Sequence, residues 1–148
     1  FSEQEKLGFN LFAGKAKCAT CHFIPLFNGT VPPNYNKTEQ EVIGTPANKN
    51  AVSISPDLGK YNQYKMPQLK NAFKTPSLRN IAKTAPYMHN GVYTTLEEVV
   101  DFYVKGGGNG LGYSVENQTL PTEKLNLTKK EELALVAFMK TLTDKKYQ

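Results

Sequence analysis

CATCH, residues 18 to 22, decides how this chain is read. Two cysteines two residues apart, Cys18 and Cys21, with His22 directly after the second, form the attachment signature of a c-type haem. The spacing has a chemical reason. Each thiol can add to one of the two vinyl groups of a single porphyrin, and the next residue then lies under the iron, where an imidazole nitrogen can bind it. Competing readings fit less well. A structural zinc site needs four ligands, and beyond these three the chain offers one further histidine, His89, plus carboxylates, without the paired spacing of zinc motifs. A redox dithiol of the thioredoxin kind belongs at a strand-to-helix junction among alternating strands and helices, and no such alternation surrounds the motif. What remains is one covalent haem, held by Cys18 and Cys21 with His22 as an axial ligand. The sixth position of the iron is left to assign.

The rest of the composition agrees. The 148 residues suffice for one domain, 1–148, with a core built around a cofactor. Both cysteines belong to the motif, so stability has to come from packing and from the haem. Haem is attached to such motifs outside the bacterial cytoplasm, so a periplasmic or otherwise exported location is expected. No signal peptide is visible, and no apolar run approaches the roughly 20 residues of a membrane span. The formal charge of +5 comes almost wholly from lysines scattered along the chain. That pattern argues against nucleic acid and leaves two readings, a solvated surface or a docking face for an acidic redox partner. Arg79 is the only arginine. Its planar fork of donors suits a carboxylate, and a haem presents two propionates, so Arg79 is the candidate to hold one; the alternative is a salt bridge to a protein carboxylate.

Three segments predict helices. In SEQEKLGFNLFAG, Ser2 and Glu5 form a capping box, Leu7, Leu11 and Phe12 form an apolar stripe, and Gly14 is the stop. In TTLEEVVDFYVKGG, Thr95 and Glu98 are the box, Leu96, Val99, Val100 and Tyr103 the inward stripe, and Gly106 the stop. In LTKKEELALVAFMKTLTDKK, Thr128 pairs with Glu131, and Leu135, Phe138, Met139 and Leu142 lie on the buried side. Residues 23 to 75 are rich in Pro, Asn, Gly and Tyr with little periodicity, a stretch that needs something to wrap. The expected fold is therefore all-α, a cytochrome c-like domain around one covalent haem with long irregular loops.

Four stretches, LFAGKAKCATCH, FKTPSLRNIAKTAPYMHNG, TLEEVVDFYVKGG and LTKKEELALVAFMKTLTD, in that order, resemble the C-terminal haem domain of the bacterial diheme cytochrome c peroxidases and of MauG. In that family the C-terminal haem passes electrons to a second haem, in the N-terminal domain, where peroxide is reduced. The chain carries one haem motif and no tryptophan, whereas many members place a tryptophan between the haems. The resemblance therefore implies electron transfer, to a redox partner protein or a second haem domain, with peroxidase-like oxidation by hydrogen peroxide as the alternative. It also implies that the carbonyls of Thr84 and Pro86 match positions that help hold calcium at a domain interface, and that His89 is a hydrogen-bonding residue near the haem edge. Four groups compete for the sixth position: Met66, Met88, His89 and Tyr103. Tyr103 is favoured, because it lies on the inward stripe of its helix and falls fourteen residues after His89, where family peroxidases carry an axial methionine and MauG an axial tyrosine. Met88 is the alternative, thioether being the usual sixth ligand of electron-carrying c haems.

Overall fold

Capping boxes start the long helices. In each, a Ser or Thr side chain accepts a backbone N–H three residues on, and the Glu at that position accepts the N–H of the capping residue: Ser2 with Glu5, Thr95 with Glu98, Thr128 with Glu131. The computed structural model describes residues 1–147, the side chain of Tyr147 apart. Its helices are α1 (Glu3–Ala13), the single turn α2 (Tyr61–Tyr64), α3 (Leu96–Val104), the single turn α4 (Gly107–Gly110) and α5 (Lys129–Thr141). No helix among the described residues is long and apolar enough to cross a membrane.

The core lies where α1 and α5 cross. Phe12, 1% exposed, meets Phe138 edge to face with 5.3 Å between ring centroids and Phe27 at 5.8 Å. Leu11, Ala134, Leu135 and Met139 close around them, with Leu96, Val100 and Val104 from α3 in the same cluster. The crossing is tight because of one residue. A Cβ on Gly8 would stand 2.0 Å from the Ala134 carbonyl oxygen, which is backbone and cannot swing aside. We expect Gly8→Ala to destabilise the protein by about 1–3 kcal/mol through overpacking, although alanine is the better helix former by about 1 kcal/mol. Urea unfolding measures the balance, and a midpoint that rises would mean that the helices do not meet at Gly8.

The all-α expectation needs correction. A short antiparallel pair, β1 (Gln40–Glu41) and β2 (Phe73–Lys74), sets Gln40 opposite Lys74 and Glu41 opposite Phe73. Strands of two residues are too short to leave a periodic signal, and their partners stand more than 30 positions apart, so the pairing is invisible to local reading. The rest of 23–75 is irregular but hydrogen-bonded: Phe23 N–H donates to the Asn28 carbonyl at 2.8 Å, Glu39 N–H to Gly29 at 2.8 Å and Thr75 N–H to Glu39 at 3.2 Å. These bonds make residues 23–41 and 73–78 one wall. Along α3 the inward stripe is half right. Leu96 and Val100 are buried and Val99 and Tyr103 half-buried, while Phe102 and Val104, outside the stripe, are buried as well. The helix is covered on more than one side.

Candidate haem site

The chain leaves α1 at Gly14, doubles back through a bond from Ala16 N–H to the Leu11 carbonyl, and enters a 3₁₀ turn at Cys18–Thr20. His22 N–H donates to the Cys18 carbonyl at 3.0 Å, so the motif is wound into one turn on the end of the α1–α5 core. Phe12 lies beneath the imidazole, 6.5 Å between centroids. His22 Nδ1 is 3.1 Å from the carbonyl oxygen of Pro76. A carbonyl accepts, so Nδ1 carries the proton and Nε2 the lone pair, the arrangement by which proteins aim a histidine at a metal. Burial, working against the Pro76 and Phe27 carbonyls, pushes this histidine down to about 4. At neutral pH the imidazole is therefore neutral, the form that can bind a metal.

Burial also acts on the cysteines. It is the largest cause in both cases and pushes the Cys18 thiol up to about 12 and the Cys21 thiol up to about 11, the second helped by the charge of Glu41. Both are free, with no disulfide between them. Cys21 Sγ and carboxylate oxygens of Glu39 and Glu41 lie within 4.8 Å of one another. Burial and then Glu41 raise Glu39 above the usual carboxylate range. The two glutamates alternate in TEQEV, which turns both toward one face of β1. The period-two spacing is the sequence signal for the two glutamates, whereas the Pro76 carbonyl leaves none.

Tyr103, on α3, lies near the motif. Burial raises its pKa most, and the nearness of Cys18, Cys21 and Glu41 raises it further. Among the described residues its hydroxyl has no hydrogen-bond partner. Two buried side-chain oxygens on the adjoining wall, Gln40 Oε1 and Thr75 Oγ1, also lack partners among the described residues. Leaving such groups unpaired costs about 1–3 kcal/mol each. Two thiols, an aimed imidazole and a nearby phenol without a hydrogen-bond partner among the described residues are a donor set that fits a c-type haem.

The other candidates lie elsewhere. Arg79, expected on a propionate, gives its fork to Asp144, Nε at 3.1 Å and Nη2 at 2.9 Å from Oδ1, with 72% of its side chain exposed. The donors assigned to the haem are taken by a carboxylate 65 positions away. His89 stacks flat on Phe73, 3.7 Å between centroids, and its Nε2 is 3.0 Å from Ser55 Oγ. Met66 is 45% exposed, and Met88 is half-buried in a left-handed conformation, φ 68°. Thr84 and Pro86 lie exposed in the turn before Tyr87.

The fold and this donor set are consistent with a cytochrome c-like haem domain. No family model matches the sequence. Among curated proteins it is 40% identical over 156 residues to cytochrome-c peroxidase IdrP2 of Denitromonas iodatirespirans, covering 96% of this chain and 40% of the relative. It is 34% identical to the methylamine utilization protein MauG of Methylorubrum extorquens, covering 93% of this chain and 34% of that protein. Among solved structures, a MauG-like protein associated with microbial copper homeostasis superposes with a TM-score of 0.73 at 32% identity, over 98% of this chain and 45% of that one. The diheme peroxidase BthA of Burkholderia thailandensis gives 0.66 at 25% identity, over 99% and 44%. The chain belongs to the bacterial diheme cytochrome c peroxidase and MauG family, in which it matches the C-terminal haem domain. It spans less than half the length of these relatives.

Proposed function

We propose that the chain transfers electrons through one covalent c-type haem, held by Cys18 and Cys21 and bound axially by His22 and Tyr103, outside the cytoplasm of a bacterium. The observation that carries this reading is Tyr103. Its phenol, without a hydrogen-bond partner among the described residues, lies on α3 near both motif cysteines. When bound, the haem supplies a one-electron couple whose potential is tuned by its ligands and their surroundings. The chain's own part is to aim His22 through Pro76, to exclude water with Phe12, Phe27 and the 73–78 wall, and to set Glu39 and Glu41 beside Cys21, where negative charge favours the oxidised state. The electron goes to a redox partner protein or to a second haem domain. Calcium at the Thr84 and Pro86 carbonyls would belong to such a domain interface.

A second reading, peroxidase chemistry here or at a haem in a further domain, is favoured by relatives named as peroxidases. Against it stands His89, the available acid/base group, whose ring is committed to Phe73 and Ser55. Stopped-flow mixing of the reduced haem protein with hydrogen peroxide decides between them. A carrier with both axial positions filled reoxidises slowly and bleaches, whereas oxidation within the mixing time would establish the peroxidase reading.

A further inference from the structure

Residues 58–72 form a loop that closes on itself. At its neck Lys60 N–H donates to the Ala72 carbonyl at 2.9 Å, Asn71 N–H to Leu58 at 3.0 Å and Asn71 Nδ2 to the Asp57 carbonyl at 2.9 Å. Gly59 makes the closure feasible: its φ is +55°, and a Cβ there would stand 2.2 Å from the Ala72 carbonyl oxygen. Compact loops with their ends pinned together are frequently functional. From Leu58 to Lys74 there are four lysines, Lys60, Lys65, Lys70 and Lys74, and no carboxylate side chain.

Lysines without an ion pair occur elsewhere among the described residues, Lys17, Lys37, Lys83, Lys124 and Lys130 among them; what sets these four apart is that they are grouped along one stretch with no carboxylate of its own. Lys6, Lys15, Lys49, Lys105, Lys129 and Lys140 each form an ion pair with a glutamate or aspartate. Among the described residues the four on and beside the loop form none. Lys60 lies over the Tyr64 ring at 5.3 Å and Lys65 over Tyr61 at 5.5 Å, so two of the ammonium groups are held by aromatic faces that leave their charge in place. Tyr64 and Met66 stand out between them, 51% and 45% exposed. Two carboxylates flank the loop. Asp57 Oδ1 accepts from Gly59 N–H and Asn62, and Glu116 lines a cavity together with Lys70. The balance stays positive. From the neck, Ala72, to Pro76, whose carbonyl holds His22, the chain spans no more than about 14 Å.

We propose that the 58–74 loop is the docking platform for an acidic patch on a small redox protein. The proposal rests on the electron-transfer reading above. An exposed aromatic and thioether centre with a lysine rim is the complement of such a patch, and long-range attraction raises the encounter rate while the pinned neck costs little ordering on binding. A lipid surface fits less well, because an interfacial anchor wants an amphipathic helix of several turns and α2 has one.

The test uses the haem-loaded chain, with an acidic [2Fe–2S] ferredoxin as the probe. At low ionic strength its oxidised form should bind, and its reduced form should reduce the haem at a rate that falls steeply with salt. In Lys60→Gln/Lys65→Gln/Lys70→Gln both affinity and rate should drop about tenfold or more, with most of the salt dependence gone. Lys124→Gln/Lys130→Gln removes charge elsewhere and should have little effect, while reduction by neutral 5-deazariboflavin semiquinone should be the same in all three proteins. If ferredoxin binds the triple variant as well as the parent, the platform is wrong, whether or not the haem is reduced. If the haem resists both reductants while ferredoxin binding still needs the three lysines, the surface stands and the electron-transfer reading falls. Loop-dependent binding to anionic phospholipid vesicles, with ferredoxin binding unaltered, would assign the loop to a membrane and overturn the proposal.

Discussion

Alanine at both Cys18 and Cys21 should release the haem into acid acetone, and the resulting chain should lose its cooperative thermal transition. The unmodified protein should keep all its haem through the same extraction, because thioether bonds survive it. The effect on folding is large for a physical reason. His22 lies against Phe12, which meets Phe27, and the Pro76 carbonyl holds the imidazole, so a group bound through Cys18, Cys21 and His22 packs on the end of the core. A group bound to the native state and not to the unfolded chain adds its binding free energy to stability. Covalent attachment makes that contribution permanent, and the double substitution removes it. Free haem extracted from the unmodified protein would end the c-type reading altogether.

Tyr103→Phe should change the iron most while changing the fold least. The substitution removes one hydroxyl that has no hydrogen-bond partner among the described residues, so the melting temperature should move little. A phenolate is a hard, anionic ligand that favours ferric over ferrous iron, so its loss should raise the midpoint potential by something on the order of 0.1 V, within the roughly 0.8 V over which axial ligands tune haem. Burial holds the phenol protonated well above neutral pH, and the Glu41 charge acts in the same sense. Only a cation at close range can offset that, which is what a ferric centre provides. The variant should also bind cyanide or carbon monoxide that the parent excludes, and Met88→Ala should leave the spectrum unchanged. A sulfur-to-iron band in the native ferric protein that vanishes in Met88→Ala would make Met88 the ligand.

Much of this protein is determined by short stretches acting alone. The CATCH motif names its cofactor because attachment chemistry depends on residues within one turn. Three helices begin where Ser2, Thr95 and Thr128 meet a glutamate three places on, again a contact inside one turn. The parts left to the tertiary structure all join distant positions. Arg79 has one donor fork, and whether it meets a propionate or Asp144 depends on how the segment after α5 returns to the 73–83 region, where Asn80 also bonds Asp144. Gly8 reads locally as a weak point in a helix and becomes the site where α5 makes its closest approach. The Pro76 carbonyl reaches His22 across 54 positions, and β1 finds β2 across more than 30. Some lysines that look evenly scattered along the chain meet carboxylates from distant helices, as Lys15 meets Glu131 and Lys49 meets Glu98, whereas the four of 58–74 meet none among the described residues. Local sequence decides which backbone bonds form within a turn. Which side chain meets which partner is decided by loop closure and by packing in a core where volume is already taken.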